Sequence, residues 1–236
     1  MRHDFFKFPS TPHLAILNDV EIRGDKVMSE FERNDFLQHK LIVEEKVDGA
    51  NLGISFDHEG NLRAQNRGAY LHLPSSGQWK KLGEWLAPRS NVLFDILTDR
   101  YILFGEWCYA QHSVFYDRLP DWCLGFDIYD KQAGRFLSSN RRDEFFKKMK
   151  IISVPRIAYG CFTLANLTNL LSQSELSSQP MEGIYLRFDS GDWLELRAKL
   201  VRPAFVQSME QHWSHSVIKP NCLNSDLHNK EAPSFL

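Results

Sequence analysis

Cysteine is scarce: Cys108, Cys123, Cys161 and Cys222 are the only four in 236 residues, far apart and without a CxxC pair. That spacing excludes the disulfide framework of small secreted folds and argues against a zinc ribbon. Free thiols in a reducing compartment are expected, hence an intracellular location, cytoplasmic or nuclear. No apolar run reaches the length that crosses a bilayer. Met1 to Phe5 are not followed by the apolar stretch of a signal peptide, so no membrane partner is expected. Neither GxxxxGK[ST] nor a GxGxxG after a strand occurs, which removes both common glycine-rich phosphate cradles. An excess of one charge is lacking too: 28 Lys and Arg face 30 Asp and Glu, a net charge of −2. Bulk electrostatic attraction to nucleic acid is thereby excluded. A polyanion site must come from local clusters such as Arg197, Lys199 and Arg202.

What remains is an ordinary globular composition, 43% apolar and 25% charged, long enough for one sizeable core. Aromatics reach 13%, with 17 Phe; most must fill that core, leaving some free to stack on bases. The pattern divides into a strand-and-helix extension over 1–40, a main domain over 41–213 and a polar tail over 214–236. Helical spacing is expected at Glu30 to His39, Gly77 to Leu86, Asn91 to Thr98, Asn140 to Lys150 and Thr163 to Leu171. Strands are expected at Leu41 to Lys46, Asn51 to Phe56, Asn61 to Gln65, Tyr101 to Phe104, Trp122 to Tyr129, Gly183 to Phe188 and Trp193 to Leu200. Short turns join most neighbours, so the expected class is α+β with antiparallel sheets. His212-Trp213-Ser214-His215 has no further ligands nearby in sequence and is read as a helix-end surface. Cys108 and His112 flank an aromatic loop and are not assigned chemistry.

The segment Glu44-Glu45-Lys46-Val47-Asp48-Gly49-Ala50-Asn51 is unusual. An apolar strand delivers Lys46 to its own end and restricts its freedom there. Lost solvation or neighbouring cations would lower its pKa and expose a neutral, nucleophilic amine. Gly49 permits close backbone approach to a ligand. Taken alone, the octapeptide fits a solvated lysine beside a turn equally well. Glu106, Phe126, Glu182-Gly183 and the alternating Arg197 and Lys199 each have an ordinary reading too: strand-end charge, core ring, turn and solvated face.

Jointly these segments resemble, in chain order, the covalent nucleotidyltransferase superfamily of ATP-dependent ligases and capping enzymes, and within it the nick-sealing RNA ligases. The six matches are Glu44 to Gly49 (ExKxDG), Asn66-Arg67-Gly68, Tyr101 to Glu106, Phe126 to Tyr129, Glu182 to Tyr185, and Leu196 to Lys199. They cover most of the chain. The resemblance implies an antiparallel-sheet adenylation domain, with ATP and Mg²⁺ or Mn²⁺ as cofactors and RNA ends in a nicked duplex as partner. It implies that Lys46 carries AMP and that Glu182 positions the metal. Arg67, Arg197 and Lys199 hold phosphate oxygens, and Glu106 accepts from the ribose. Phe126 stacks on adenine, Glu44 and Glu45 lie at the base, and Asn51 bonds ribose or phosphate. Arg197 departs from the lysine common at its position. Only 34 residues follow Arg202, so no OB-fold is expected downstream. ATP-dependent DNA ligase is the runner-up, a capping guanylyltransferase stands third, and a nucleotide- or RNA-end-binding module without catalysis is the reading from another class. The oligomeric state has no signature.

Overall fold

A computed structural model describes residues 5–17, 26–203, 205 and 218–224. The 212–215 helix end and most of the 214–236 tail lie outside the described residues. Helices are α1 (Glu30–Leu37), α2 (Leu82–Leu86), α3 (Ser90–Leu97), α4 (Ser139–Met149) and α5 (Leu164–Asn169). Strands are β1 (Leu41–Lys46), β2 (Ala50–Phe56), β3 (Leu62–Gln65), β4 (Tyr101–Trp107), β5 (Cys123–Asp130), β6 (Arg135–Phe136), β7 (Ile152–Ser153), β8 (Arg156–Gly160), β9 (Gly183–Ser190) and β10 (Trp193–Val201). The expected α+β class with antiparallel sheets is what forms. Gly77 to Leu86 does not form one helix: Gly77–Trp79 is a 3₁₀ turn and α2 follows it. β6, β7 and β8 had no periodic signal, because short or edge strands bury too few side chains to alternate visibly.

Two sheets face each other. The first has the order β10-β9-β1-β8; the second runs β3-β2-β4-β5-β6, with β7 added in parallel to β5. Alternation gives each sheet an outer apolar face. In the first sheet Leu41, Val43, Ile184, Leu186, Ala198 and Leu200 pack with Phe36 of α1 and Leu167 of α5. In the second, Leu52, Ile54, Leu103 and Ile128 pack against Trp85 and Leu86 of α2, Leu93 and Leu97 of α3, and Phe146 of α4. Ser29 starts α1 with a reciprocal capping box to Glu32, and Thr163 does the same for α5 with Asn166. Residues 5–17 are woven into this frame. Phe8 joins the cluster of Ile102 and Phe104, while the Pro12 carbonyl accepts from Lys199 N–H and Leu14 N–H donates to the Lys199 carbonyl.

Within each sheet one glycine lets neighbouring backbones close up, Gly49 beside β4 and Gly183 beside β10. A Cβ on Gly49 would stand 2.7 Å from the Trp107 carbonyl oxygen, and one on Gly183 only 2.4 Å from that of Leu200. Gly49 therefore serves the close approach of β4. Gly183→Ala should destabilise the protein by about 1–3 kcal/mol, because the obstacle is backbone and cannot rotate away. Gly83→Ala, inside α2 with open space around it, should be neutral or stabilising by up to about 1 kcal/mol. Chemical denaturation of both variants measures the contrast; equal stabilities would contradict it.

Candidate active site

β1 alternates so that Ile42, Glu44 and Lys46 face the second sheet, and Leu41, Val43 and Glu45 face away. The register aligns Lys46 with Gly183 and Glu44 with Tyr185 on β9, and Tyr185 in turn with Lys199 on β10. Across the gap Asn51 on β2 pairs directly with Glu106 on β4. Lys46 and Glu182 are thus delivered by one sheet, Asn51 and Glu106 by the other.

Lys46 Nζ donates to Glu182 Oε1 at 2.5 Å. Burial depresses the Lys46 pKa, but the charges of Glu182, Glu106 and Asp48 outweigh it and hold the amine above the usual lysine value. The sequence suggested the opposite, a lysine poised to lose its proton; its neighbours are carboxylates, and they keep the ammonium. One ammonium cannot neutralise three carboxylates. Burial first, then Asp48, raises Glu182 to about 7, against the opposing pull of Lys46 and Lys199. Burial first, then Glu182 and Asp48, raises Glu106 to about 8, opposed by Lys46 and Arg67.

Arg67 and Lys199 are therefore within electrostatic reach of the carboxylates, as their proposed duty towards phosphate requires. Arg197 is not brought there. Its guanidinium donates to Asp127 at 3.3 Å and lies over the rings of Phe8 and Phe136, at 4.8 and 4.5 Å. Glu45 also departs from expectation: on the outer face its Oε1 accepts from Ser174 Oγ at 2.5 Å, and burial raises its pKa. The Glu44 carboxylate is buried against Arg142, which donates from Nη2 at 2.6 Å and Nη1 at 3.2 Å. Burial disfavours its charge, but Arg142 and Arg187 more than restore it and lower its pKa.

Phe126 is the extra residue of a β-bulge: Phe104 opposes Asp127 and Gly105 opposes Gly125, leaving Phe126 unpaired. The bulge half-exposes its ring, edge-on to Phe8 at 5.3 Å. Its carbonyl loses a ladder partner and accepts instead from Arg142 Nη1 at 2.8 Å and Arg187 Nη1 at 3.1 Å. Arg187 also donates to Asp127 at 2.5 Å. These arginines and Asp127 were not anticipated as site supports. A signal existed for Arg142, which falls on the α4 stripe of Phe146 and Met149, and for Arg187, four residues beyond Gly183 on the same strand face. Asp48, present in the motif but given no role, anchors the loop beyond β4 by accepting from Ser113 N–H at 2.7 Å and Val114 N–H at 2.9 Å. Its own N–H donates to Tyr116 Oη at 2.7 Å.

The donor chemistry suits a divalent cation bound mainly by other oxygens. Glu182 Oε2 and Asn51 Oδ1 are buried without a hydrogen-bond partner, and the carboxylates exceed the ammonium. Among the described residues no group of three or more acidic, histidine or cysteine side chains is arranged to hold a metal. That is the pattern of a hard cation taking one or two protein carboxylates and completing its shell with water and phosphate.

A family model described as RNA ligase matches residues 39–201. No curated protein matches the chain in sequence. Among solved structures, three forms of an RNA ligase from Naegleria gruberi share the fold. A lysine-to-alanine variant with ATP and Mn is 16% identical, with TM-score 0.59 over 76% of this chain and 54% of that one. The form with PPi is 18% identical, TM-score 0.57, over 76% and 56%. A glutamate-to-alanine variant with AMP and Mn is 17% identical, TM-score 0.60, over 88% and 65%. The chain spans about half the length of the first of these.

Two outcomes follow from the geometry. Arg142→Ala leaves Glu44 charged and buried and should cost about 3–5 kcal/mol, whereas Arg142→Met combined with Glu44→Gln should recover most of it; denaturation curves of the two variants decide. Because Glu106 and Glu182 bind protons more tightly folded than unfolded, the ligand-free protein should lose stability as pH rises from about 5 to about 8. Glu106→Gln should flatten that loss, read as Tm against pH.

Proposed function

The chain belongs to the RNA ligase family, and on that premise we propose that it is an ATP-dependent RNA ligase working through a lysyl-AMP intermediate on Lys46. The observation that carries the proposal is the bond of Lys46 to Glu182, with Glu106, Arg67 and Lys199 gathered around it. In the first step the Lys46 nitrogen forms a bond to the α-phosphorus of ATP as the bond to the pyrophosphate oxygen breaks. The ammonium proton must leave first. Glu182 accepts Lys46's hydrogen bond and is the nearest base. A Mg²⁺ or Mn²⁺ held by Glu182 would offset charge developing on the phosphates. Arg67 and Lys199 are the cations positioned to bind phosphate oxygens, Arg67 with a planar fork and Lys199 as a point charge. Phe126, part-buried at its bulge, offers a ring to adenine, and Glu106 offers a carboxylate to the ribose.

AMP then passes to a 5′-phosphate on RNA, giving a 5′-5′ pyrophosphate linkage and freeing Lys46. A 3′-hydroxyl attacks the activated phosphate, forms the new diester and expels AMP. Each step is a displacement at phosphorus, so one set of cations serves all three. Family membership favours RNA as acceptor; the deciding contacts are to 2′-hydroxyls or to A-form shape.

Incubation with ATP and Mg²⁺ or Mn²⁺ should add one adenylyl group to the intact mass, mapped to Lys46, and Lys46→Ala should remove it entirely. The adenylyl group should pass to the 5′-phosphate of nicked RNA and leave as free AMP as the strands join, and nicked DNA should not discharge it. Joining by the Lys46→Ala protein would end the proposal; transfer to DNA alone would make the protein a DNA ligase.

A further inference from the structure

Although the chain is slightly acidic overall, residues 141–156 hold six basic and two acidic side chains. Their placement is ordered. Arg156 on β8 donates to Asp143 of α4 at 2.9 Å. One helical turn further along the same α4 face is Lys147, and Lys150 closes the helix end. Lys147, Lys150 and Arg156 are all exposed. From Asp143 to Lys150 the helix advances about 10 Å, so the cations form a stripe.

β8 is an edge strand of the first sheet, and its register aligns Arg156 with Glu44 and Tyr159 with Ile42. Both side chains therefore share the sheet face that carries Lys46. Tyr159 is 65% exposed, although a ring of that size on a core-forming face is ordinarily covered. Its partner Ile42 lies four positions before Lys46 along β1, about 13 Å away.

We propose that this edge, Tyr159 with the cation stripe of Arg156, Lys147 and Lys150, is where the RNA strand leading to the reacting end is gripped. The cations take backbone phosphates and the tyrosine ring takes an unpaired base. A ring with spaced cations is the combination that holds single-stranded nucleic acid without reading its sequence. An acidic protein would use the charges but has no need of a bare ring. Lysines that only complement the α4 dipole would leave the exposed ring of Tyr159 without a role. The inference rests on the ligase reading for its direction, since it places the RNA relative to Lys46.

The test measures binding of 5′-phosphorylated single-stranded RNA across a salt series, with lysyl-AMP formation from ATP recorded separately. Lys147→Gln combined with Lys150→Gln should lower the slope of log affinity against log salt by about 1.4, two phosphate contacts' worth. Tyr159→Ala should weaken binding by about fivefold to a hundredfold with the salt slope unchanged. Both variants should form lysyl-AMP at the wild-type rate. Wild-type affinity and slope in both variants, or altered thermal stability with unaltered RNA binding, would overturn the proposal. A wild-type protein that forms lysyl-AMP but does not bind the RNA would overturn it too. RNA binding with the stated dependences but no lysyl-AMP would support this surface and refute the ligase reading instead.

Discussion

A single ammonium shared among three carboxylates sets the terms for the rest of this structure. Lys46 is held at the end of a buried strand, where Glu182, Glu106 and Asp48 all act on it. Bringing three acids together in a poorly solvated gap is unfavourable, and the fold sustains it by fixing each acid from a different direction. Glu182 is set by the β9 start, with Gly183 pressed against β10. Glu106 is set by β4, and Asp48 is tied to backbone N–H groups of the following loop. On the proposed ligase reading, this concentration of acids is where a hard cation accompanying the nucleotide would sit.

The same seam continues deeper as a set of paired charges, Glu44 with Arg142, and Asp127 with Arg187 and Arg197. Buried pairs of this kind are weak evidence for stability, because desolvation takes back much of the attraction. Their use here is geometric. Arg142 and Arg187 together hold the carbonyl of Phe126, the backbone group that the bulge leaves without a ladder partner. Each arginine therefore links a strand of one sheet to the bulge in the other. An apolar filling could hold the sheets together, but it offers no donor for that carbonyl.

Much of this was legible in the sequence for physical reasons. β9 and β10 bury Ile184, Leu186, Ala198 and Leu200 on one face and alternate them with polar or charged neighbours, and β1 begins with the apolar run Leu41-Ile42-Val43. α1 and α5 carry capping residues at their starts. Lys46, Glu106 and Glu182 each have an ordinary reading alone; the site was legible only because six motifs stand together in the chain order of the covalent nucleotidyltransferases. What escaped detection depends on long-range pairing. Arg197 alternates with Lys199 as a phosphate-binding pair would, yet Asp127, seventy positions earlier, captures it. Glu45 adjoins Lys46 in sequence and points to the opposite face because a strand has a period of two. The direction of the Lys46 pKa shift was misread because the strand end reveals burial but not the sign of the neighbouring charges. β8 was invisible because edge strands need not alternate, although it supplies the exposed ring of Tyr159.

The central claim, that surrounding carboxylates keep Lys46 protonated in the ligand-free protein, is tested most directly by titrating its side chain by NMR in the wild type and in Glu182→Gln. The account predicts a wild-type pKa above that of an ordinary lysine and a clear fall when Glu182 loses its charge. A wild-type Lys46 that titrates near neutral pH, unmoved by Glu182→Gln, would contradict it.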